Sequence, residues 1–148
     1  MDTFNLDTLP RFHPCSPRPA HPMRTSIDSF LVEMLHSEQV DADECSYWEH
    51  PIAGRLRCTN CTDGARMVVH RFGGRIMGYH CKDGDKRVGA ISGGHDFALI
   101  EERWLVDYWA RYVSEDEPFA VYDLCNALDS LDVVAKYGPA NQWEEIPL

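Results

Sequence analysis

The chain has 148 residues, with 24 Asp and Glu against 14 Lys and Arg, a formal net charge of −10. That carboxylate excess, without any basic stripe, argues against nucleic acid as a partner, because phosphate backbones are held by clustered Lys and Arg. A 44% hydrophobic and 26% charged composition is that of an ordinary globular chain long enough for one domain, and no apolar run nears the ~20 residues of a membrane span.

The N-terminus MDTFNLDTLPRF has neither the basic region nor the apolar region of a signal peptide, so the cytosol is the expected compartment. Five of the nine prolines (Pro10, Pro14, Pro17, Pro19, Pro22) fall in the first 22 residues. Each fixes φ and removes a donor, so residues 1–25 are expected to form an extended or flexible arm, and 26–148 a single α+β domain. Ile27, Phe30, Leu31, Met34 and Leu35 then recur at helical spacing, with Thr25 or Ser26 as the cap. Residues 37–57, acidic and then aromatic, are broken by Pro51 and Gly54 and read as a connecting region.

A second helix is expected from Thr62 to about Phe72: Cys61, Ala65, Val68 and Phe72 share a face, and Gly73-Gly74 supplies a stop. Strand-like runs follow at 75–81, 87–91, 96–100 and 103–109, separated by turn residues. FAVYDL reads as a last strand, and DSLDVVAKYG as a short helix starting at Asp129 or Ser130 and ending at Gly138-Pro139. A helix followed by antiparallel strands makes the class α+β.

Six cysteines, without a secretory signal, point to free, metal-bound or catalytic thiols rather than three disulfides. Cys58-Thr59-Asn60-Cys61 is a C-x-x-C, open to three readings: a zinc half-site, a redox pair, or a nucleophile beside a second cysteine. Zinc would need Cys58 and Cys61 joined by His80 or Cys81. Those two are adjacent, and neighbours in a strand face opposite ways, so one ion would not easily take both. The redox reading would need a strand before the motif and a βαβ frame, and Pro51 and the charged GRLR before Cys58 argue against it.

The nucleophile reading rests on what surrounds Cys61. The first turn of a helix favours a thiolate by about 0.3–1 kcal/mol, and a base is then required. His95 follows Gly93-Gly94, which would let backbone approach a substrate closely, and opens an apolar strand. If 96–100 and 103–109 form a hairpin with an odd loop, His95, Phe97, Leu99, Leu105 and Asp107 share one face. A three-residue loop is expected to set His95 and Asp107 directly opposite each other, and an even loop would undo the pairing. Asp107 could then hold the imidazole in the tautomer that accepts the thiol proton.

The stretches RLRCTNCTDGARMVVHRFGG and GGHDFALIEERWLVDYW together resemble the papain-like superfamily, most closely its small bacterial toxin and effector branch that includes glutamine deamidases. The matches are Cys61 at a helix start, Ala65, Gly73, His95, Phe97 and Asp107, within about residues 54–110. The resemblance implies a papain-like core with the nucleophile at the N-terminus of a helix packed on a small antiparallel sheet. It also implies Cys61 as nucleophile, His95 as base and acid, Asp107 as orienting residue, no cofactor, and a protein substrate whose glutamine is deamidated. Peptide cleavage and transglutamination use the same machinery. The family often places an amide just before the nucleophile to bind the oxyanion, and Asn60 is the nearest candidate, with Gly93 and Gly94 as further substrate-binding candidates. Cys58 remains a possible nucleophile three residues earlier. The branch also implies export or injection without a cleaved signal as an alternative to a cytosolic site of action.

Two readings from other classes stand beside this one. A non-catalytic binding protein could carry a structural zinc at the C-x-x-C, and the acidic clusters DADE, EERW, SEDE and WEE could form a solvated surface or complement a basic partner.

Overall fold

The computed structural model describes residues 20–39, 48–50, 54–56 and 60–148. Helix α1 spans Pro22–Ser37 and strands β1 (Trp48–His50) and β2 (Gly54–Leu56) form an antiparallel pair. Helix α2 (Cys61–Phe72) is followed by β3 (Arg75–His80), β4 (Gly94–Ile100), β5 (Trp104–Val106), β6 (Val121–Asp123), helix α3 (Ala127–Tyr137) and β7 (Glu144–Ile146). Five strands make one sheet in the order β6-β5-β4-β3-β7, antiparallel at every step. The architecture is mixed α+β. Among the described residues no helix is long and apolar enough to cross a membrane.

Several elements differ from their expected bounds, each for a local reason. Helix α1 begins at Pro22, so residues 22–25 belong to it rather than to an N-terminal arm. A proline at the first helical position gives up an N–H that the helix leaves unpaired anyway, and His21 Nδ1 caps the turn by accepting from the Met23 N–H at 3.0 Å. Helix α3 starts two residues before Asp129 because Asn126 is its cap, its Oδ1 accepting from the Asp129 N–H at 3.0 Å. The run 87–91 is no strand: Gly89 adopts a left-handed φ of 84°, and Ala90–Ser92 closes into a single 3₁₀ turn. Strand β5 stops at Val106, and the chain winds from Trp109 to Val113 in a wide helical turn where strand to residue 109 was expected. The β1–β2 pair and β7 were not foreseen at all.

Because side chains alternate along a strand, the sheet presents two differently composed faces. Ile76, Ala98, Ile100, Trp104, Val106 and Val121 meet α1 through Ile27, Leu31 and Met34, and α2 through Ala65, Val68 and Val69. On the other face Met77, Tyr79, Phe97, Leu99, Leu105 and Tyr122 meet Val133 and Tyr137 of α3 and Trp143. Full burial of such side chains contributes roughly 1.5–3 kcal/mol each. Arg24 of α1 reaches past the sheet, donating to the Val121 carbonyl and to Asp129 Oδ2 at 2.6 Å each, which ties α1 to the start of α3.

Candidate active site

Cys61 is the first residue of α2 and is partly exposed. The helix starts there because Asn60 has an extended backbone and its Oδ1 accepts the Asp63 N–H at 2.7 Å. It ends at Gly73, where φ is 80°. The interior stripe of Ala65, Val68 and Val69 holds α2 against the sheet and so fixes where its first turn points.

Two consecutive residues of β4 meet that first turn from opposite faces of the sheet. The Asp96 N–H donates to Cys61 Sγ at 3.4 Å, and Asp96 Oδ2 accepts from the Thr62 hydroxyl at 2.6 Å. Gly78 of β3 makes room for this carboxylate, since a Cβ there would lie 2.1 Å from Asp96 Oδ1. His95, buried at 3% exposure, uses its Nε2–H toward Asp107 Oδ2 at 2.6 Å, and lines the same cleft as Cys61, which acts on its titration. With Nε2 engaged by Asp107, Nδ1 is the ring nitrogen left for the sulfur.

The three-residue loop of the β4–β5 hairpin is present, and His95 and Asp107 share a face, but they are not directly opposite. The pairs Ile100↔Trp104, Leu99↔Leu105 and Ala98↔Val106, carried one step further, set Asp107 across from Phe97. His95 is then its diagonal neighbour, a separation that two polar side chains can bridge. Pairing ends at Val106, and Asp107 Oδ1 instead accepts the Ala110 N–H at 3.1 Å, which holds the carboxylate and starts the helical turn. Its other oxygen also accepts from the Tyr137 hydroxyl at 2.6 Å.

Burial by itself disfavours a charged His95 ring. The Asp107 charge and hydrogen bond, together with the hydrogen bond to Cys61, outweigh it, and the imidazole is pushed up to about 10. A buried carboxylate with donors on both oxygens, next to an imidazole, avoids the penalty of an unpaired buried charge.

Of the glycine candidates, Gly94 lines the cleft beside Cys61 and His95, but the amides of both are engaged within the backbone. The Gly94 N–H donates to the Gly89 carbonyl at 3.1 Å and the Gly93 N–H to the Ala90 carbonyl at 3.2 Å, so neither amide is free for an oxyanion. Gly94 makes a close approach, but to β3: a Cβ there would lie 2.6 Å from the Tyr79 carbonyl oxygen. Gly89 is the glycine that backs onto His95. A Cβ on it would stand 2.6 Å from His95 Cβ, so the 87–93 loop packs at Gly89 against the base of the His95 side chain. The Asn60 amide is likewise engaged: besides capping α2, its Nδ2 donates to Asp63 Oδ2 at 3.0 Å.

Of the alternative zinc ligands, Cys58 lies outside the described residues. His80 is exposed at the end of β3, and Cys81 is half-buried beyond it, its thiol raised first by burial and then by the charge of Asp85. Among the described residues no three His, Cys, Asp or Glu side chains are placed to hold one metal ion.

Cys61 and His95 open onto a cleft of about 590 Å³, rimmed by the 86–92 loop, Trp109, the 114–117 segment and the end of α3. Lys136 is paired with Glu117 at 2.6 Å on one side, while Ile91 is fully exposed on the other. A thiol at a helix N-terminus, with an imidazole that can take and return its proton, is equipped for nucleophilic acyl transfer. Thr62, Asp96, Gly78, Gly89 and Tyr137 complete the surroundings, and none was singled out by sequence. Asp96, next to His95 in a strand flanked by a helix start, carried the one readable signal. No family model, curated protein or solved structure matches this chain.

Proposed function

We propose that this chain is a cysteine amidohydrolase of papain-like type, with Cys61 as nucleophile, His95 as general base and acid, and Asp107 as the orienting carboxylate. The observation that carries the reading is the buried His95–Asp107 pair at 2.6 Å, whose imidazole lines the same cleft as a cysteine at a helix N-terminus. Cys61 reacts as the thiolate paired with the protonated His95 ring, and its sulfur attacks the carbonyl carbon of a carboxamide or peptide. The Cys61 N–H, in the first turn of α2, stabilises the oxyanion together with the positive end of the helix. His95 returns the proton to the departing ammonia or amine as the C–N bond breaks, leaving a thioester. Water, deprotonated by His95, then attacks the thioester and releases the acid and the Cys61 thiol.

The favoured substrate is a glutamine side chain on a protein, as in deamidases of the effector and toxin kind. A partly exposed thiol beside an open cleft supports a reacting group presented by a larger molecule. Iodoacetamide labelling near neutral pH should modify Cys61 faster than the more exposed Cys125. Cys61→Ala should abolish ammonia release from a glutamine-containing protein. Equal labelling of the two thiols, with undiminished release by the variant, sinks the proposal.

A further inference from the structure

Tyr137 is the last residue of α3 and is fully buried. Its ring packs edge-on against Phe97 at 5.3 Å and lies 6.1 Å from the His95 ring. The Trp143 indole N–H donates to the Tyr137 carbonyl at 2.8 Å, which anchors the helix end. A phenylalanine would satisfy all this packing. What the hydroxyl adds is its bond of 2.6 Å to Asp107 Oδ2, the same oxygen that His95 Nε2 engages at 2.6 Å.

We infer that Tyr137 is a positioning residue for the proposed reaction, holding the Asp107 carboxylate in aim and sharing its charge with His95. The inference rests on the assignment of Cys61, His95 and Asp107 made above. Two donors on one carboxylate oxygen divide its negative charge, so the phenol limits how tightly Asp107 holds the imidazolium. An unmoderated carboxylate would keep His95 protonated to higher pH and make it a poorer acid toward the leaving group. Burial and the neighbouring Asp107 push the Tyr137 hydroxyl well above its ordinary range, so it stays a donor throughout the working pH range. The other titratable groups bearing on this cluster are Cys61 on the imidazole, Tyr122 and Glu117 on Tyr137, and Tyr79 with Asp107.

The test is Tyr137→Phe in the full chain, with the His95 ring followed by NMR across pH, and kcat and KM measured on a glutamine-containing protein. The His95 midpoint should rise by about one pH unit, and kcat should fall by ~10-fold with KM little changed, the scale of one lost hydrogen bond to a charged group. An unmoved midpoint, with only the unfolding temperature lowered, overturns the inference and leaves Tyr137 a packing residue. Should Tyr137→Phe fail to fold, difluorotyrosine placed at position 137 keeps the ring and makes the hydroxyl a stronger donor. The His95 midpoint should then move down, and no movement overturns the inference equally. The titration is read without turnover, so absence of amidohydrolase activity in the unmodified chain sinks the reaction and not this coupling.

Discussion

The two faces of the five-stranded sheet are made by alternate residues of the same strands, yet they hold different chemistry. The face under α1 and α2 is mainly aliphatic, with Ile27, Leu31, Val68, Ile76, Ile100 and Val106 around Trp104. The face under α3 is aromatic, with Tyr79, Phe97, Tyr122, Tyr137 and Trp143, and it buries the polar cluster of His95, Asp107 and Tyr137. Cys61 comes from the aliphatic side, on α2, and His95 and Asp107 from the aromatic side. They meet at the start of β4, where Asp96 binds one layer and His95 the other. Dispersion and area burial fix the placement of α2, while directional hydrogen bonds within a ring of aromatic edges fix the imidazole.

The comparison breaks most sharply at Asp107. Asp107→Asn leaves the aliphatic face untouched but removes the carboxylate that orients His95, and kcat on a glutamine-containing protein should fall about 10³–10⁴-fold. Steady-state kinetics beside a circular dichroism spectrum checks this; activity within tenfold of the parent chain would show that the aromatic face does not orient the base.

A smaller effect appears in stability against pH. The folded-state value of His95, about 10, lies above the ordinary 6.5. The protonated ring therefore stabilises the fold fully below about pH 6.5, and that contribution is lost as pH rises through 10. Urea unfolding midpoints should decline across this window, and the decline should flatten in Asp107→Asn. A parent chain that gains stability from pH 6.5 to 10 would contradict the pairing.

The smallest expected change sharpens the aliphatic side. Thr62→Val removes the hydroxyl donated to Asp96 Oδ2, at a cost of about 1.5–3 kcal/mol for a hydrogen bond to a charged group. Gly78→Ala disturbs the same lock from β3, since its Cβ would collide with the Asp96 carboxylate. Both variants should alkylate at Cys61 more slowly than the parent chain while His95 keeps its NMR titration. A shifted His95 midpoint in Thr62→Val would mean that the two layers are not separately held.

Much of this organisation was legible from residue spacing. The α2 stripe and Gly73 after Phe72 mark the helix and its stop, while Asn60, an oxyanion candidate by sequence, is its N-cap in the structure. The period of two in DFALI and RWLVDYW placed His95 and Asp107 on one face once the loop was odd. The exact cross-strand opposition differs from the expectation by one pleat, because the three-residue loop is 101–103 and centres the hairpin on Glu102, which sets Asp107 across from Phe97. Gly94 lines the cleft, while the N–H groups of Gly93 and Gly94, candidates for an oxyanion, close the 89–94 loop on itself. Pro22 was read as a breaker, although its position at a helix start reverses its meaning.

By itself the sequence determined the α+β class and the span of α2 to within a residue, and it made the shared face of His95 and Asp107 conditional on an odd hairpin loop, because each follows from residues close along the chain or from one hairpin. Only the tertiary structure decided that Tyr137 reaches Asp107 across 30 residues, that Asp96 and Thr62 join β4 to α2, and that Gly89 backs onto the His95 Cβ. Those contacts depend on how α3, α2 and the 87–93 loop settle on the sheet. That placement is fixed by the volumes packed between the layers, and no periodicity along the chain encodes it.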